Sequence, residues 1–191
     1  MKHFSPTLRS LLVLALLTGM GACRQSKTAM HSEKSGAKEV STPFQGEAYR
    51  TSATHYRAVQ SGTSPDLATA RKIALLNAKN ELAGSISARL RSVIQIYTDQ
   101  RQVGNAIEFS ERFQEISRQV IDQELTGVSV KEDKVFQRPD NTYECWVAVE
   151  LPVSEVNNKL NSRISSDEKL RQDYNREQFL KIFDDEMRSR E

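Results

Sequence analysis

The stretch Leu67-Ala68-Thr69-Ala70-Arg71-Lys72-Ile73-Ala74-Leu75-Leu76-Asn77-Ala78-Lys79-Asn80-Glu81-Leu82 decides the fold. Alanine stands at 70, 74 and 78, and the same spacing runs on through Leu82, Ile86 and Leu90, closing with Val93 and Tyr97. Apolar residues every three or four positions, beginning at Leu67, define one face of an α-helix. The alanines make the first turns of that face narrow, so the helix backbone can lie close on another element, most simply a sheet. Gly84 sits inside the pattern at a cost of about 1 kcal/mol relative to Ala, marking a close contact or a bend.

Upstream, Gly62-Thr63-Ser64-Pro65-Asp66 reads as a turn and a helix start. Ser64 is the expected N-cap, Pro65 the first helical residue, and Asp66 complements the positive helix end. Before it, Thr54 to Ser61 alternates, with Tyr56 and Ala58 on one side and His55, Arg57 and Val59 on the other, as a strand does. Downstream, Thr98 to Gly104 breaks the helical pattern. Asn105 with Glu108 resembles a capping box, and Phe109, Phe113, Ile116 and Val120 carry a second helix to near Gly127.

Val128 and Val130 then alternate with polar residues, and Arg138-Pro139-Asp140-Asn141 makes a turn. Tyr143, Cys145, Val147, Val149 and Leu151 share one face of the next strand, with Glu144, Trp146, Ala148 and Glu150 on the other, giving an antiparallel hairpin. Pro152 closes that strand, and Ser154 is placed to cap a helix bearing Val156, Leu160 and Ile164. The expected class is α+β. A three-stranded antiparallel sheet carries helices on one face in the order β-α-α-β-β-α, and a C-terminal helix follows. The second sheet face then needs cover, from the tail or from a partner.

The domain is expected over residues 52–165, and residues 166–191 form a charged helical tail. Phe179, Leu180, Phe183 and Met187 make an apolar stripe on that tail, which either packs on the domain or meets a partner. Residues 23–51 are rich in Ser, Lys, Thr, Gly and Glu and read as a flexible tether, because so little apolar surface does not offset ordering entropy.

The first residues have the layout of a secretory signal. Lys2 and Arg9 precede an apolar run from Leu11 to Leu17, too short to span a bilayer of roughly 30 Å. Small residues follow, and Gly21-Ala22-Cys23 resembles the lipobox of bacterial lipoproteins. The expectation is cleavage after residue 22, with diacylglycerol and an N-acyl chain on Cys23, a stable anchor at roughly 0.8 kcal/mol per buried methylene. Removing residues 1–22 takes away Lys2 and Arg9 and leaves 25 basic against 25 acidic residues. A neutral chain argues against nucleic-acid binding, which needs basic charge to neutralise phosphates. With Cys23 acylated, Cys145 has no disulfide partner within the chain. Arg24, rather than Asp, follows the lipid cysteine, which resembles lipoproteins released to the outer membrane.

Gly62, the Ala70–Ala74–Ala78 ladder with Lys79, Leu82 and Ala83, and the strand Tyr143-x-Cys145-Trp146-Val147-Ala148-Val149-x-Leu151 together resemble one group of small lipoproteins. These are related to the twenty-kilodalton antigenic lipoprotein of Helicobacter, and the N-terminal domain of the flagellar T-ring protein is similar. The likeness spans roughly residues 54–160. It implies an α+β, outer-membrane-associated, non-catalytic protein and transfers one position only, the lipid-bearing Cys23. Gln60, where a small residue is expected, and the charged Glu132-Asp133-Lys134 depart from it.

Enzyme chemistry finds little to use. His31 falls in the tether and His55 in the first strand, and no Cys/His spacing resembles a zinc site. Cys145 lies on an apolar strand face, which makes a thiol inert. The acidic runs Asp184-Asp185-Glu186 and Glu132-Asp133 read as solvated faces, and no glycine-rich phosphate loop precedes a helix. The expected function is a lipid-anchored, non-catalytic interaction or assembly module on the periplasmic face of the outer membrane. It takes no metal and no cofactor, and it binds an envelope protein or itself. Trp146, Phe179, Phe183 and Met187 are its candidate contacts. The alternatives are an envelope-acting enzyme using His55, or ligand or nucleic-acid binding on the open sheet face.

Overall fold

The computed structural model describes residues 40–101 and 103–189. The expected signal, the anchor Cys23 and the tether histidine His31 lie outside the described residues. The elements are β1 (His55–Ser64), α1 (Leu67–Arg101), α2 (Ala106–Glu124), β2 (Ser129–Gln137), β3 (Tyr143–Pro152), α3 (Val153–Ser166) and α4 (Arg176–Arg188). The strands form one antiparallel sheet in the order β1-β3-β2, so the α+β architecture is as expected. Among the described residues no helix is long and apolar enough to cross a membrane.

Asp66, not Ser64, caps α1. Its Oδ1 accepts from Thr69 N at 2.8 Å and from Thr69 Oγ1 at 2.7 Å, while Ser64 ends β1 and its Oγ accepts from Asp66 N at 3.2 Å. Asp66→Ala is expected to cost about 0.5–2 kcal/mol of stability, read from urea unfolding. An unchanged midpoint would show that the cap contributes nothing.

The spacing of α1 explains how one helix serves two layers. A four-residue step advances a straight α-helix face by about 40°, so the stripe winds roughly half a turn between Ala70 and Leu90. The alanine end meets the sheet. At Gly62 an added Cβ would stand 2.5 Å from Ala74 N and 2.7 Å from Ala70 O, so the strand touches helix backbone. The Leu90–Tyr97 end instead turns toward α2 and α4 and is buried among them. Gly84 is in open space, and no close contact accounts for it.

Asn105 caps α2 as the spacing suggested, its Oδ1 accepting from Glu108 N at 3.3 Å and its Nδ2 donating to Glu108 Oε2 at 2.8 Å. The hairpin turns at Arg138–Thr142, where Arg138 N donates to Thr142 O at 2.8 Å. Asn141 there takes φ 61°, a left-handed value that Asn tolerates. No side chain caps α3, so Ser154 does not play the expected part. Pro152 precedes the helix, and Val153 N donates to Thr54 O at 2.9 Å.

Two boundaries move. Among the described residues the folded unit runs from residue 41 to residue 189, with no separate tail. Leu170, Phe179, Ile182, Phe183 and Met187 are all buried, and Ile182 takes the place expected for Leu180. Tyr97 ties this segment down, its hydroxyl donating to Asp173 O at 2.8 Å and accepting from Asn175 N at 2.6 Å. Phe179 lies in a ring cluster, with centroids 5.6 Å from Phe113, 6.0 Å from Tyr97 and 6.5 Å from Phe183. At the other end, Phe44 is buried and pairs with Tyr49, so residues 44–51 belong to the domain and not to the tether.

Candidate functional site

The sheet has one face toward α1 and one away from it. Across the outer face the register sets Arg57 beside Glu150 and forms three rows from β1 through β3 to β2, which are Val59–Ala148–Glu132, Ser61–Trp146–Lys134 and Thr63–Glu144–Phe136. A bulge between Val130 and Glu132 shifts the parity of β2. Val130 and Val135 therefore face the helix side, and Lys134 and Phe136 face outward. That side is thinly covered at β2, where Val130 is 49% and Val135 36% exposed.

Residues 44–51 cover the middle of the outer face. Lys134 Nζ stands 5.1 Å from the Phe44 ring centroid, a cation–π distance. The Tyr49 hydroxyl hydrogen-bonds to Glu132, which raises its pKa. Ala148 is buried, although its parity is outward. Toward the hairpin end this cover stops. Trp146 is half-buried and Phe136 is 45% exposed, in adjacent rows. Trp146 thus stands where its alternation placed it. Phe136 was missed, because a one-residue bulge reverses every later assignment on its strand.

The other predicted contacts are elsewhere. Phe179, Phe183 and Met187 are buried within the domain and offer no outward surface, a correction set by the packing of α4 on α1. Cys145 is fully buried and unpaired, and burial raises its thiol pKa. His55 Nδ1 is 3.0 Å from Thr54 Oγ1. Among the described residues no group of three His, Cys, Asp or Glu side chains has the geometry to hold a metal ion.

A groove of about 870 Å³ runs along α2 and is lined by Glu108, Arg112, Glu115, Arg118, Asp167 and Lys169. Several of its charges pair, with Arg112 2.8 Å from Asp167 and 2.6 Å from Glu115, and Lys169 2.9 Å from Glu108. Arg118 on the same lining donates from Nε to Gln114 O at 3.4 Å.

Glu150 and Asp167 link stability to pH. Lys131, bonding at 3.0 Å, and Arg57, at 3.1 Å, hold the Glu150 carboxyl below its ordinary range against the opposing effect of burial. For Asp167 burial is the largest single influence and pushes upward. Arg112 and the N–H groups of Leu170 and Lys169 together outweigh it, and the net shift is down. Both groups therefore stabilise the fold fully above their unfolded values of about 4. That contribution is lost as pH falls through the lower folded values. The melting temperature is expected to hold level down to about pH 5 and to fall below about pH 4, less steeply in Glu150→Gln and Asp167→Asn. Equal slopes in the variants and the parent would remove these carboxylates from the account.

No family model, no curated protein and no solved structure matches this chain.

Proposed function

We propose that the chain is a lipid-anchored envelope lipoprotein whose folded domain is a non-catalytic interaction module. The observation that carries this reading is that half-buried Trp146 and exposed Phe136 stand in adjacent rows of one sheet face, which residues 44–51 cover only in part. Partly exposed aromatics on a rigid sheet gain much by burial, and aromatic anchors dominate protein interfaces. The Gly21-Ala22-Cys23 lipobox supports the anchor, and Arg24 supports release to the outer membrane, where the partner is an envelope protein. The likeness to the small antigenic lipoproteins points the same way.

Two measurements test it. Intact mass of the protein extracted from envelopes is expected to show a species beginning at Cys23 and carrying three acyl chains, which Cys23→Ala abolishes. An unacylated N-terminus elsewhere refutes the anchor. Chemical cross-linking in cells is expected to join the domain to one envelope protein. The Trp146→Ala/Phe136→Ala double variant is expected to lose that product while its melting temperature stays close to the parent's. A product that survives the double variant refutes this face.

A further inference from the structure

We propose that the free edge of β1, from Val59 to Thr63, docks an extended segment of another polypeptide, which joins the sheet as a fourth strand. This rests on the interaction-module reading and names where on the domain the partner's main chain engages.

The edge has the right main-chain chemistry. Arg57 N donates to Thr51 Oγ1 at 3.0 Å, and Thr51 Oγ1 donates to Arg57 O at 3.2 Å. Asn77 Nδ2 donates to Ser61 O at 2.9 Å. Those bonds show that the odd-numbered residues of β1 turn their N–H and C=O groups away from β3. Val59, Ser61 and Thr63 therefore present theirs to a side where no strand pairs among the described residues. At Arg57 one hydroxyl already gives and takes the two bonds that a neighbouring strand would supply. Beyond it Val59, Thr63 and the Ser61 N–H are open for a strand, and the Ser61 carbonyl, held by Asn77, must exchange that side chain for the incoming main chain.

The two sheet edges differ in the way that separates a guarded edge from an available one. The β2 edge carries Lys131-Glu132-Asp133-Lys134 and a bulge, both of which oppose strand addition. The β1 edge from Val59 to Ser64 has no charge and no proline, and its register with β3 is unbroken from His55 to Ser64. An unguarded flat edge on an exported domain is an aggregation hazard unless it is used.

Side-chain walls flank the edge on both sides. The α1 flank over β1 is located by Ile73 against Gly62, by the Asn77–Ser61 bond, and by Gln60 Nε2 donating to Glu81 Oε2 at 2.6 Å. On the outer side Ser61 is small, so an incoming side chain beside it can reach the Trp146 ring.

The occupant is a bare strand rather than a second copy. Pairing β1 with β1 of another copy would set the two strands about 4.8 Å apart. Each carries α1 directly above it at Gly62, and packed helices need roughly 8–10 Å between axes. The two helices would collide. An extended segment without a covering helix meets no such barrier.

The test uses the full-length chain in detergent and a capped hexapeptide alternating threonine with leucine, followed by amide hydrogen exchange. At nine times the dissociation constant, exchange at Val59, Ser61 and Thr63 is expected to slow roughly tenfold, with β2 amides unchanged. A peptide N-methylated along one edge should not protect. Ser61→Pro removes an edge N–H while sparing the ladder to β3, and Thr63→Lys adds a charge there, so both should abolish protection. The second variant keeps the test decisive if the first fails to fold. Protection that maps to β2, or none at millimolar peptide, overturns the proposal. If protection is absent while Trp146-dependent cross-linking persists, only the edge is wrong. Loss of both sinks the interaction-module reading as well.

Discussion

A chain ending at Ser166 is expected not to fold cooperatively. The deleted part contains Leu170, Phe179, Ile182, Phe183 and Met187, all buried against the rest of the domain. Truncating a buried Phe to Ala costs about 3–5 kcal/mol, and two such losses reach the roughly 5–15 kcal/mol by which whole domains are stable. The deletion would also uncover Tyr97 and Phe113, which pack on the Phe179 ring, and strip the Tyr97 hydroxyl of both its partners on the connecting segment. Circular dichroism should show no sigmoidal melt, and a hydrophobic dye should bind at room temperature. Phe179→Ala/Phe183→Ala in the full chain should lower stability severely, with less than the summed effect because the two rings are neighbours. A truncated chain that melts like the parent would return the apolar stripe of α4 to the role of partner surface.

Gly62→Ala is expected to destabilise the domain while Gly84→Ala stabilises it. At Gly62 a new Cβ would meet Ala74 N at 2.5 Å, Ala70 O at 2.7 Å and Ile73 Cβ at 2.8 Å. Backbone atoms do not rotate aside, so α1 must lift from β1 along the alanine ladder. Overpacking of this kind costs about 1–3 kcal/mol and sometimes more, and Gly62→Val should be worse. At Gly84 nothing lies within 4 Å of a new Cβ. There Ala lowers the entropy of the unfolded chain and favours the helix, by about 0.5–1 kcal/mol. Opposite shifts in urea midpoint are the signature. A Gly62→Ala midpoint at or above the parent's would mean that the helix and strand do not touch at Gly62 as described.

The Gly62 contact was half legible. The ladder of alanines announced a close approach, most simply to a sheet, but not to which strand or residue, because small side chains say how near a neighbour comes and not which one it is. Trp146 was placed on the outer face by strict alternation along β3, and the structure keeps it there. Phe136 was not found, since the bulge at Lys131 is a property of pairing with β3 and leaves no mark in the alternation of β2 itself. Phe44 and Tyr49 were absorbed into a polar-looking stretch, where two aromatics do not raise mean hydropathy enough to signal a folded segment. The edge of β1 became visible only once the strand order was known.

Sequence alone therefore determined the elements and the inward face of nearly every one, from the α1 stripe to the Asn105 cap, because periodicity and capping act over a few residues. Tertiary structure decided which face met which. It drew Phe179 and Phe183 into the core, laid residues 44–51 on the sheet, and left one edge guarded and the other open. The physical reason is that burial is non-directional: an apolar stripe requires some partner, and only the packed chain selects among those within reach.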